Sequence, residues 1–158
     1  MRVGDLNVQP VSDGTFVARP SYFGAHVPPG ARPEMFPHDG AAWLPIGCFL
    51  IRGSDRVLLV DGGLGPHDKQ LPGGMRLTGG WLPGELRRHA VTPEDVTDIV
   101  CTHLHSDHVG WLFDINATRV FTRATIWFGA ADWCQRPRCL HMSRQHSVFR
   151  FWQVPVAM

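Results

Sequence analysis

Charge is scarce in this chain. Only 18% of its 158 residues are Asp, Glu, Lys or Arg, and the formal net charge is +1. That balance removes any global electrostatic reason to bind nucleic acid or an anionic membrane. Long apolar runs are missing too. No stretch approaches the roughly 20 apolar residues that span a bilayer, and Met1–Pro10 lacks an apolar core of signal-peptide length, so the expected location is the cytoplasm. Cysteines number four, and all but Cys134 and Cys139 lie far apart, the pattern of free thiols in a reducing compartment. No internal repeat is evident. Low charge combined with 17 Gly and 13 Pro excludes a helical bundle, a coiled coil and an acidic disordered chain. What remains is one ordinary globular core.

Along that core, Leu6 to Arg19 alternates short apolar stretches with the turn residues Ser12, Asp13 and Gly14, which reads as the start of a β-hairpin. Pro28, Pro29, Pro33 and Pro37 make Ser21 to Gly40 a loop. Cys48–Arg52 and Arg56–Asp61 flank Gly53-Ser54-Asp55 and form a hairpin. The continuously apolar run Val57–Val60 predicts a strand covered on both faces. After it comes the glycine-dense exit Asp61-Gly62-Gly63-Leu64-Gly65-Pro66 and a flexible stretch to Gly80. Leu82, Leu86 and His89 mark one face of a short helix, and Thr92-Pro93-Glu94-Asp95 has the composition of a helix start. Asp98–Thr102 reads as a strand running into His103; Val120-Phe121 and Thr125–Phe128 are further strands. Strand, helix and strand in succession point to an α/β fold. Cys134–Met158 differs: it carries four Arg and no acid, and its apolar residues follow no steady period.

The chemistry concentrates in Thr102-His-Leu-His-Ser-Asp-His-Val-Gly110. Three imidazoles and a carboxylate within six residues would be hard to bury without a metal. Residues two apart on an extended segment point the same way, so His103 and His105 can offer imidazoles to one cation. The chain then turns at Ser106, and Asp107 and His108 can serve a second cation beside the first. Imidazole and carboxylate donors suit zinc best, with iron or manganese as alternatives. Two such ions about 3.5–4 Å apart hold a water between them and polarise a substrate oxygen.

This segment, preceded by Leu58-Leu59-Val60-Asp61-Gly62-Gly63, resembles the metallo-β-lactamase superfamily. H-x-H-x-D-H is that family's signature, and an upstream strand ending in Asp-x-Gly is its usual companion. The resemblance implies an αββα sandwich of two similar halves, of which residues 1–133 would supply only the first, with 134–158 left as an atypical basic tail. It implies a hydrolase with two zinc ions that attacks an ester, lactone or similar bond of a small-molecule substrate. The wording of the ligand loop is most similar to the lactonase and organophosphate-hydrolase branches. Metal ligands would be His103, His105, Asp107 and His108. Asp107 would also orient the attacking water and take up its proton. Asp61 would stand behind the ligands and hold their loop by hydrogen bonds, and Trp111 would shape a substrate pocket.

The family's remaining ligands, a later His, a bridging Asp and a final His, come from the second half. Beyond His108 the chain has only Asp114 and Asp132 as acids and His141 and His146 as histidines, none in a Gly-His-Thr-like turn. A catalytic zinc keeps three protein ligands plus water, so the site is expected to be under-coordinated. The expectation is a truncated or frame-shifted first half, with an inactive half-domain as the alternative function and exposed apolar surface promoting self-association. His141 and His146, with Cys134 and Cys139, are alternative replacement ligands. A third reading gives the basic tail an interaction role. His26, His38 and His67 read as solvated loop residues, and Trp43 and Trp81 as core.

Overall fold

The computed structural model describes residues 1–26, 30, 32–37, 39–130, 132 and 149–152. Its core element is a mixed sheet whose long strands are β2 (Leu6–Ala18) and β3 (Ala42–Gly53), antiparallel over their full lengths. A two-residue strand β1 (Arg2–Val3) folds onto the start of β2. β4 (Arg56–Val60) returns from β3 through the tight turn at Gly53–Asp55, as the sequence suggests. The sheet then continues in parallel through β7 (Asp98–Val100), β8 (Thr125–Gly129) and β9 (Phe149–Trp152). On the other side of β2 sits a hairpin of β5 (Asp68–Leu71) and β6 (Met75–Thr78). The order is β5-β6-β2-β3-β4-β7-β8-β9.

Three helical turns matter for the site's surroundings. α1 (Pro20–Phe23) follows β2; α2 (Leu82–Arg88) precedes the crossover to β7; α3 (Ser106–Val109) is a single turn after β7. The start predicted at Thr92 is a 3-10 turn over Pro93–Asp95, closed by a capping box in which Asp95 accepts from the Thr92 N–H at 2.8 Å. α2 buries Leu82 and Leu86 against Leu59, Ile99, Ile126 and Phe128 of the parallel strands, with Val11, Leu50 and Leu104 in the same cluster. This layer of helix on one sheet face is the fold's apolar anchor.

Several expectations need correction. Ser12, Asp13 and Gly14 do not open a hairpin. They lie inside the thirteen-residue β2, where the register to β3 slips between Ser12 and Gly14. This is a β-bulge, and a bulge and a turn draw on the same small polar residues. The stretch before Gly80 is not structureless, since it holds β5 and β6; β5 runs along the sheet edge with exposed Asp68, Lys69 and Gln70, so no apolar alternation marks it. Ser21–Gly40 contains α1 and the 3-10 turns Gly24–His26 and Pro33–Met35. Val57–Val60 is covered on one face only, because Leu59 is buried while Val57, Leu58 and Val60 keep partial exposure. Val120-Phe121 forms no strand. Trp43 and Trp81 are not core residues, at 58% and 48% exposure. Cys134, Cys139, His141 and His146, and most of the tail with them, lie outside the described residues; Phe149–Trp152 pairs with β8.

Candidate metal centre

The exits of two adjacent parallel strands build the site. β4 ends at Val60 and β7 at Val100, paired side by side, and the Asp61 N–H donates to the Val100 carbonyl at 2.9 Å. Asp61 itself sits at φ 66°, a left-handed conformation that a non-glycine residue adopts only where its surroundings hold it. Its carboxylate is what the conformation delivers. Oδ1 accepts from the Thr102 N–H at 2.7 Å, Oδ2 and Oδ1 share the Thr102 hydroxyl at 2.9 and 3.0 Å, and His108 Nδ1 lies 2.8 Å from Oδ2. Asp61 is 6% exposed, so these partners supply what water otherwise would.

Past Thr102 the backbone bends through His103 and is extended again at His105 (ψ 157°). Leu104 points into the core at 6% exposure, which turns His103 and His105 together to the outer side. Their rings meet edge to face, with centroids 4.6 Å apart and His103 Nε2 3.1 Å from His105 Nδ1. α3 then reverses the chain. It brings the His108 ring to 3.9 Å from that of His103, and His108 Nε2 to 3.5 Å from Asp107 Oδ2. Burial, with the His108 and His105 rings beside it, pushes the His103 imidazole below its ordinary value. A neutral ring keeps a lone pair free for a cation.

The donor chemistry fits a divalent metal, and the spacing of the pairs fits too. Two ligands at tetrahedral angle on one zinc lie about 3.3 Å apart, between the 3.1 Å of the His103–His105 pair and the 3.5 Å of the His108–Asp107 pair. Among the described residues, however, no set of three or more His, Cys, Asp or Glu side chains gathers at one point. The sequence brings together the four residues singled out, as two pairs rather than one cage. Asp114 serves another purpose: its Oδ1 accepts from the Asn116 and Thr118 N–H groups at 2.9 and 2.8 Å and closes a turn.

Sequence reasoning missed Asp13. The bulge points its side chain inward, at 0% exposure, beneath both strand-exit loops. Trp111, half-buried against the core, donates its indole N–H to Asp13 Oδ1 at 2.8 Å. Two glycines let these layers close up. A Cβ on Gly110 would stand 2.0 Å from the Leu64 carbonyl, and one on Gly14 1.9 Å from the Thr78 carbonyl. The one available signal was an acid flanked by Ser and Gly inside an otherwise apolar strand pattern.

Comparison with known proteins bears on the family and the fold. The family model for the metallo-beta-lactamase superfamily matches residues 41–151. The N-acyl homoserine lactonase AiiB of Agrobacterium fabrum is 26% identical over 106 residues, an alignment that takes in 56% of this chain and 38% of that one. AiiB of Rhizobium rhizogenes matches at the same identity and extent. Among solved structures, a probable metal-dependent hydrolase from Staphylococcus aureus superposes with a TM-score of 0.76 at 19% identity, over 99% of this chain and 63% of its own. AidC, a dizinc quorum-quenching lactonase, superposes at 0.73 and 17%, over 100% of this chain and 62% of its own. The hydrolase AbOPH superposes at 0.77 and 19%, over 100% and 61%. These identities speak for a shared fold alone. The matches span less than two thirds of each of these proteins.

Proposed function

This chain belongs to the metallo-beta-lactamase superfamily of hydrolases, and from that premise we propose that its strand-exit site is a zinc centre for hydrolysing an ester, lactone or similar bond. The observation that carries the reading is the packing of His103, His105, Asp107 and His108 into two donor pairs at ligand spacing, directly above a buried carboxylate. The lactonase relatives support a small-molecule ester or lactone as substrate.

His103 and His105 would hold one ion, and Asp107 and His108 a second. Bound divalent metal acidifies a water and polarises the substrate's carbonyl oxygen. The chain's own residues do the rest. Asp61 accepts from His108 Nδ1 and so leaves Nε2 as that ring's free donor position. Thr102 passes the same carboxylate's influence to His103, its hydroxyl lying 3.1 Å from His103 Nδ1. Asp107, 41% exposed at its side chain, is the group with room to orient a water and take its proton. Trp111 lies next to this loop, and its ring would border the substrate on that side.

A second reading has its own observation. Donors gather in pairs and not in threes among the described residues, which suits a half-site that binds metal weakly and turns nothing over. On the sheet face away from α2, Leu58, Val100 and Trp127 line an open cavity of about 400 Å³ with Arg56 and Asp98. Apolar surface of this kind favours self-association.

The test is chelator-sensitive turnover of a lactone and an aryl-ester panel by the zinc-loaded chain, beside His103→Ala and Asp107→Asn. Hydrolysis that EDTA abolishes, and that falls by at least about a hundredfold in both variants, supports the enzyme. Zinc uptake without turnover on any substrate supports the half-site.

A further inference from the structure

The bulge in β2 has a consequence for the loop that carries the histidines. With Ser12 paired to Gly47 and Gly14 to Ile46, Asp13 has no cross-strand partner, and its carboxylate turns into the interior. Five N–H groups converge on it. Oδ2 accepts from Leu64 at 2.7 Å and Gly65 at 3.0 Å; Oδ1 accepts from Leu82 at 2.9 Å, Gly80 at 3.2 Å and the Trp111 indole at 2.8 Å. Only a carboxylate presents acceptors at both ends of so short a side chain.

These donors come from three separate segments. Leu64 and Gly65 continue the loop that begins at Asp61. Gly80 and Leu82 open α2. Trp111 lies three residues past His108. Two of the three segments therefore carry the candidate centre, and they are laced to each other as well. The Gly62 N–H donates to the His108 carbonyl at 2.7 Å, the Trp111 N–H to the Gly62 carbonyl at 2.9 Å, and the Gly110 N–H to the Gly63 carbonyl at 2.7 Å. Asp13 is the shared acceptor under that lacing.

We infer that Asp13 is a positioning residue for the histidine cluster: its carboxylate fixes the Asp61 loop and the Trp111 end of the ligand loop against each other, and thereby sets the orientation of His108 and His103. No other role in the site uses Asp13, and among the described residues its hydrogen bonds go to backbone N–H groups and one indole. Its purpose rests on the zinc reading above, but its physical content concerns ring orientation and stands apart from it.

The test uses Asp13→Asn, which keeps the shape and turns an amide toward N–H donors at one end, and Trp111→Phe, which removes one donor and leaves the carboxylate. Ring nitrogen resonances of the metal-free chain are recorded by long-range proton–nitrogen correlation, with circular dichroism to verify folding. The expected result is displaced ring signals for His103 and His108 in folded Asp13→Asn, and a smaller displacement in Trp111→Phe. If Asp13→Asn does not fold, Trp111→Phe decides alone. Ring signals superimposing on the wild type in every folded variant, with only a lowered melting temperature, would overturn the inference and leave Asp13 a general stabiliser. Zinc titration of the same samples separates the two readings. A zinc affinity reduced about 10–100-fold in Asp13→Asn fits both, whereas a wild type that takes no zinc but whose variants show displaced rings sinks the zinc reading and leaves the positioning one standing.

Discussion

Asp61, Asp13 and Asp98 are the three buried carboxylates among the described residues, and each is matched by several donors. Asp98 shows how the chain treats an acid outside the candidate centre. Burial pushes its carboxyl up, but hydrogen bonds from the Trp127 indole, Arg56 and Thr97, with the Arg56 charge, outweigh that and hold it below the usual range. Its contribution is therefore present above the ordinary carboxylate range near pH 4 and lost as pH falls through the lowered value. Asp98→Ala strands the Trp127 indole N–H and removes the Arg56 partner, while the Thr97 hydroxyl keeps the Val57 carbonyl at 3.0 Å, and urea denaturation should register a loss of about 1–3 kcal/mol. Cys48 and Cys101 sit at the other extreme. Burial, reinforced by nearby Asp13 and Asp61 for Cys48 and by Asp61 for Cys101, pushes both thiols up to about 12. They stay protonated at neutral pH, so neither should react with iodoacetamide at pH 8 until the protein unfolds; mass spectrometry of the alkylated native protein reads this directly. Because the folded value lies above the ordinary 9.0, thiol ionisation also erodes stability as pH rises from about 9 towards 12.

The loops are where element packing becomes exacting. Gly110 and the Leu64–Gly65 peptide lie in direct contact, and a methyl group on Gly110 would meet backbone that has no rotamer to yield. Gly110→Ala should destabilise the chain by about 1–3 kcal/mol and disturb the histidine loop with it, seen as a lower urea midpoint at unchanged slope. The legibility of these elements from sequence follows their locality. The hairpin from Cys48 to Asp61, the Leu82/Leu86 helix face, the strand at Thr125 and the strand from Asp98, which ends at Val100 and not at Thr102, are set by neighbours a few residues apart, and periodicity finds them. The motif at His103–His108 is legible for the same reason, being chemistry concentrated in one short segment. What stayed hidden depends on distant pairing. Asp13 looks like a turn residue until β3 is known to continue past it, with β6 pairing beside β2 from Thr15 to Val17. The edge strand Asp68–Leu71 has no buried face to impose alternation, so only its partner β6 reveals it. Likewise, whether Leu58 and Val60 are covered depends on what lies over the sheet, which a run of apolar letters does not encode.

At the scale of the whole molecule, one sheet with helix packed on one face brings two parallel strand exits together, and the candidate centre forms where they end. The opposite face keeps Leu58, Val100 and Trp127 partly open around the Arg56–Asp98 pair. Size-exclusion chromatography with light scattering should therefore find species above 17.6 kDa that increase with concentration and with salt, as apolar association does. A strictly monomeric profile at all concentrations would remove self-association from the account. None of this bears on the chemistry unless the histidine loop holds a cation. Metal content settles that most directly: equilibrium dialysis of the purified chain against zinc, with elemental analysis, beside His103→Ala and His108→Ala. About one to two zinc ions should bind per wild-type chain, with each variant losing its share while circular dichroism stays native. Zinc content near zero in the folded wild type, or equal in all three proteins, would contradict it.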